Sequence, residues 1–144
     1  MRLQRVLNYM QANCHLDIET DNLARMSNYS TCHFIRAFSA AFGQTPHTVL
    51  VEYRLARAWH LLQASDLAVA EVAMASGFDN RCAFSRLFKR RYGINASELR
   101  LQSGASVRMP ARSYPVARYP DLLAKSTIHH PRIRSSASIQ QHSA

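Results

Sequence analysis

The chain has 144 residues, 47% hydrophobic and 19% charged, with a formal net charge of +9 and a pI near 10.2. That apolar fraction excludes wholesale disorder, the length allows one ordinary domain or two very small ones, and the charge calls for an anionic partner. Three cysteines (Cys14, Cys32, Cys82) with no CxxC exclude a disulfide framework and a zinc site, so reduced thiols and no metal or cofactor are expected.

The N-terminal run MRLQRVLNYMQ has neither the apolar stretch nor the cleavage site of a signal peptide, and no 18-residue apolar run follows. A soluble, cytoplasmic protein is expected, with no membrane partner. Leu3, Val6, Leu7 and Met10 fall at helical spacing and predict a first amphipathic helix. Thr20-Asp-Asn predicts the cap of a short helix through Ser27. A further helix is expected from Ser30 to Phe42, stopping at Gly43. Pro46 suits a first turn, and HTVLVEYRLARAWHLLQ continues unbroken to about Gln63. Short segments follow from Ala68 to Ser76 and from Arg81 to Tyr92, the latter closed by Gly93, and a last short helix begins after Asn95. Nothing in residues 1–102 alternates like a strand.

Composition changes at Ser103. Residues 1–102 hold twelve Lys and Arg against eight Asp and Glu, with Pro46 as their one proline. Residues 103–144 hold four prolines, six basic residues and one acidic, and read as a basic, Pro- and Ser-containing tail without a fold of its own. The alternative there is a strand remnant of a further domain around VRMPARSYPVARY.

The chain repeats itself. LARMSNYSTCHFIRAFSAAFG (23–43) aligns with VAMASGFDNRCAFSRLFKRRYG (72–93), which has one extra residue. Leu23 matches Val72, Ala24 matches Ala73, Asn28 matches Gly77, Tyr29 matches Phe78 and Cys32 matches Cys82, followed by a shared Phe-Arg-Phe-Gly frame. A sharp reversal between two helices needs a residue that tolerates positive φ; Gly77 meets this freely and Asn28 next best. At about 100° per residue, Phe34, Ala37, Phe38 and Phe42 share one arc, as do Phe84, Leu87, Phe88 and Tyr92. The opposite arcs carry Cys32, Ile35, Arg36 and Ser39 in one copy and Cys82, Ser85, Arg86 and Lys89 in the other. A helix with one apolar and one basic arc fits the major groove, about 12 Å wide. Two such helices in one chain predict a double helix-turn-helix that reads DNA.

The string RLARAWHLL (54–62) and the stretch ASGFDNRCAFSRLFKRRYG (75–93) resemble the DNA-binding domain of the AraC/XylS family of bacterial transcription regulators, over roughly residues 3–101. The resemblance implies an all-α domain (residues 1–102) of seven helices, with two helix-turn-helix subdomains joined by a long central helix. It also implies that the base-reading positions are Thr31, Cys32, Ile35 and Arg36 in the first copy and Arg81, Cys82, Ser85 and Arg86 in the second. Two departures from the family pattern are Asn28 in place of a glycine, and Ala96 and Leu99 in place of a proline and an aromatic residue. The second pair predicts a loosely docked last helix.

Arg36 and Arg86 hold equivalent places, each suited to guanine O6 and N7, and Ile35 suits a thymine methyl. Ser39, Lys89, Arg90 and Arg91 are expected on phosphates. Arg81, Arg86, Lys89, Arg90 and Arg91 place five charges within eleven residues that include no acid, so the second copy is expected to anchor and the first mainly to discriminate. The expected function is a monomeric regulator on double-stranded DNA, an activator whose first and central helices are free for RNA polymerase, located with the bacterial nucleoid when bound. With only two residues before the region of resemblance, the protein is either controlled by its abundance or is a fragment.

Two rival readings remain. An alkyl-transfer enzyme with a cysteine nucleophile needs a neighbouring base. Cys14-His15 and Cys32-His33 are adjacent in sequence, and helical neighbours diverge by about 100°. His60, beside Trp59, reads as packing, and no hydrolase or nucleotide-binding motif occurs. A non-specific basic nucleic-acid-binding or protein-interaction module explains the charge but not the paired helices.

Overall fold

The computed structural model describes residues 2–102. Among them the chain forms seven helices: α1 (Arg2–Asn13), α2 (Thr20–Met26), α3 (Thr31–Phe42), α4 (Pro46–Ala64), α5 (Val69–Ala75), α6 (Arg81–Tyr92) and α7 (Ala96–Gln102). The fold is all-α, as the periodicity predicts. The basic tail and its strand-remnant alternative lie outside the described residues. No described helix is long and apolar enough to cross a membrane.

The predicted cap of α2 is corrected. Glu19 holds the N-cap place without a side-chain hydrogen bond, and Thr20 is already helical. At α3, α4 and α6 the N-caps are side chains. Ser30 Oγ accepts from His33 N–H, Thr45 Oγ1 from Thr48 N–H, and Asn80 Oδ1 from Ala83 N–H. These side chains satisfy orphan amides at the starts of α3, α4 and α6. Pro46 occupies the first turn of α4, where its missing N–H costs nothing.

Packing divides the molecule along α4. Val49, Leu50 and Tyr53 join Leu3, Val6, Leu7, Met10, Leu23, Phe34 and Phe38 in one core. From Leu55 onward, Ala58, Trp59, Leu61 and Leu62 join Val72, Phe84, Phe88, Tyr92 and Leu99 in a second. Trp59 stacks on Phe88 at 6.1 Å between ring centroids, and Phe88 meets Tyr92 edge-on at 4.8 Å. In the first core Phe34, Phe38 and Phe42 form the matching ladder, at 5.6 Å and 4.6 Å. Truncating any of the fully buried rings to alanine removes about 3–5 kcal/mol.

The last helix is not loose. Leu99 is fully buried, and Arg100 donates hydrogen bonds to the Ser65 and Leu67 carbonyls beyond the end of α4. Leucine fills this part of the core without an aromatic ring, and the arginine ties the helix to the connection between α4 and α5.

Candidate nucleic-acid interface

The two halves build their turns with the same hydrogen bonds. After α2, Asn28 N–H donates to Arg25 O and Tyr29 N–H to Ala24 O; after α5, Gly77 N–H donates to Met74 O and Phe78 N–H to Ala73 O, all at 3.0 Å. Asn28 has φ 60 and Gly77 φ 99, the left-handed conformation expected of both. Ser27 and Ser76, equivalent and fully buried, open the two turns. The Ser27 hydroxyl donates to the Leu23 and Ala24 carbonyls.

Each turn delivers a helix of twelve residues, α3 or α6, capped in front by Ser30 or Asn80. Behind, Gly43 (φ 77) and Gly93 (φ 74) give their N–H to Ser39 O and Lys89 O, both at 2.8 Å. Phe34 and Phe38, like Phe84 and Phe88, are fully buried, and this fixes which arc of each helix faces away. On those arcs Cys32, Ile35, Arg36, Arg81, Cys82, Ser85 and Arg86 are exposed. Ile35, 37% exposed, is an apolar side chain left at the surface of α3. Thr31 is half-buried, and its hydroxyl donates to Asp21 of α2 at 2.8 Å, an added tie between the two helices of the first unit.

Arg91 apart, the arginines of α3, α4, α6 and α7 fall into two sets. The side chains of Arg36, Arg81, Arg86 and Arg90 have no hydrogen bond or ion pair among the described residues, and all four residues are exposed. Arg54, Arg57 and Arg100 are partly buried and spend their guanidinium groups on backbone carbonyls. Arg91 differs from the other expected phosphate residues, because its Nε lies 2.7 Å from Glu52 Oε2 of α4 with both side chains largely covered. Burial raises the Glu52 carboxyl above its ordinary 4.5, and the Arg91 charge pulls it back. Lys89 is exposed, with Nζ donating to the Gly93 carbonyl at 3.2 Å; Ser39 is half-buried.

Arg54, Arg57, Arg100 and the two turn serines escaped the sequence reading. The available signal was α4 itself. A helix apolar enough to serve two cores leaves little solvent for Arg54 and Arg57, so their guanidinium groups need acceptors inside the protein. Burial pushes the Cys14 thiol above its ordinary 9.0 despite nearby Arg57 and Arg54. All three cysteines are free, with Cys14 buried and the other two exposed.

A family profile described as a helix-turn-helix domain matches residues 23–102, more than half of the chain. The chain belongs to the AraC-type helix-turn-helix family. Among curated proteins it is similar to the MmsAB operon regulatory protein of Pseudomonas aeruginosa, 36% identical over 92 residues, which are 64% of this chain and 30% of that one. It is also similar to the probable transcription factor PqrA of Proteus vulgaris, 30% identical over 58% of this chain and 68% of that one. The chain therefore spans less than a third of the first of these relatives. Among solved structures it resembles the DNA-binding domain of AdpA, a global transcriptional factor crystallised with a target DNA, at TM-score 0.68 and 29% identity, over 72% of this chain and 94% of that one. A transcriptional regulator from Chromobacterium violaceum gives TM-score 0.67 and 27% identity, over 74% and 95%. The AraC-type family and fold are those of helix-turn-helix transcription regulators, which are not enzymes.

Proposed function

We propose that this AraC-type domain is a sequence-specific regulator that binds double-stranded DNA as a monomer, with α3 and α6 in adjacent major grooves. What carries the reading is the pairing of two equally built helices, each with unengaged arginine on its exposed arc. Arg36 and Arg86 contact guanines, each contributing about 1–3 kcal/mol of discrimination. Ile35 contacts a thymine methyl, and Thr31, Cys32, Arg81, Cys82 and Ser85 complete the base-facing surfaces. Arg90, Lys89 and Ser39 serve phosphates; Arg91, held by Glu52, contributes less. The regulator acts as an activator that engages RNA polymerase from the faces of α1 and α4 not covered by DNA, in the bacterial cytoplasm and on the nucleoid.

Electrophoretic mobility with a selected duplex tests this directly. One chain per duplex, and competition by that duplex at least about a hundredfold stronger than by unrelated RNA or DNA, is expected. Two chains per duplex contradict the monomer. Equal competition by unrelated RNA favours the non-specific basic module.

A further inference from the structure

Arg54 stands where the two cores of α4 meet. Tyr53, the residue before it, belongs to the first core, and Leu55, the residue after it, to the second. Its side chain reaches into the segment between α1 and α2, where Nε donates to the Cys14 carbonyl at 2.6 Å and Nη2 to the Leu16 carbonyl at 2.9 Å. Gly77, the turn residue of the second unit, rests against the same atoms. A Cβ there would lie 2.7 Å from Arg54 Nε and 2.7 Å from the Cys14 oxygen. The turn of one reading unit is thus seated on the backbone of the other, with the guanidinium packed beside the contact. Nearby, Arg57 Nε donates to the Ala75 carbonyl at 3.0 Å, two residues before Gly77, and Glu52 pairs with Arg91 of α6.

We propose that Arg54 is a positioning residue, fixing the separation and rotation between α3 and α6 and hence the spacing of half-sites that the protein accepts. A planar guanidinium holding two carbonyls resists rotation in a way that one flexible donor does not. Two linked binding units gain affinity over either alone only when their geometry allows both to engage. Adding one base pair turns one half-site by about 35° relative to the other. A rigid pair of helices rejects that duplex, and a loosened pair accepts it.

The inference rests on the two-groove reading, so its test has an arm without DNA. Spin labels are placed on the exposed Cys32 and Cys82, which lie on α3 and α6, in a Cys14→Ala background. Pulsed dipolar spectroscopy on the free protein is expected to give one narrow distance distribution, and Arg54→Gln to broaden or shift it. In the second arm, adding or removing one base pair between selected half-sites weakens unlabelled wild-type binding by about tenfold, against less than about threefold for the variant, while single half-sites bind both equally. Arg54→Lys keeps the stem and charge, falls between the two, and replaces Arg54→Gln if that variant does not fold. A folded variant whose distance distribution and spacing preference match wild type overturns the positioning role. A wild-type protein with no spacing optimum contradicts the two-groove reading instead, and leaves the spin-label arm to decide on Arg54.

Discussion

Gly77 and Asn28 hold equivalent places in two turns, yet their tolerance of substitution differs. Both need a positive φ, which costs an ordinary L-residue about 1–2 kcal/mol. Only Gly77 also lies against backbone, because a Cβ there runs into the Cys14 carbonyl. Gly77→Ala is therefore expected to destabilise by more than about 2 kcal/mol, against a change within about 0.5 kcal/mol for Asn28→Gly, as measured by urea denaturation. Equal effects at the two sites contradict the seat described for Gly77. His15 adds a pH dependence at the same junction. Burial, assisted by the Arg57 charge, lowers its pKa below the ordinary 6.5, and its Nδ1 is buried without a hydrogen-bond partner. The unfolded chain consequently binds this proton first on acidification. The contribution is complete above pH 6.5 and lost as pH falls through the lower folded value. Wild type is expected to lose more stability between pH 7.5 and 5.5 than His15→Asn; an identical loss in the two proteins excludes this source.

At the scale of the element, α3 and α6 share length, caps and buried rings while differing in charge. Arg36 is alone on α3, whereas Arg81, Arg86, Lys89 and Arg90 remain exposed on α6 after Glu52 has engaged Arg91. The phosphate-dependent part of binding is accordingly expected to belong mainly to α6. Arg90→Ala should weaken binding to all sequences alike and reduce the slope of log affinity against log salt by about 1, with Arg91→Ala changing it less. Equal slopes for the two variants contradict the distinction. These helices were legible in the sequence because aromatic residues at helical spacing, a capping residue and a closing glycine are local signals, and the repeat displayed them twice. The partners of Arg54, Arg57 and Arg91 were not legible. Their acceptors lie 40, 18 and 39 positions away along the chain, and only the packing of α4 brings them together. The same limit explains α7, whose missing aromatic suggested a loose helix until Leu99 and Arg100 were placed.

At the scale of the molecule, α4 sets the distance between the two helix-turn-helix units. Its 19 residues span about 28 Å, against about 34 Å between successive major grooves on one face of the duplex. A bend that lets both helices engage costs on the order of 1–6 kcal/mol and favours deformable base steps between the half-sites. In the proposed function one chain reads two grooves, each through its own helix. Selecting bound sites from random duplexes with wild type, Arg36→Ala and Arg86→Ala tests it most directly. Wild type should yield two different sequence blocks about one helical turn apart, with each variant losing base preference in one block and keeping it in the other. A single block, or two blocks that both degrade with either substitution, would contradict it.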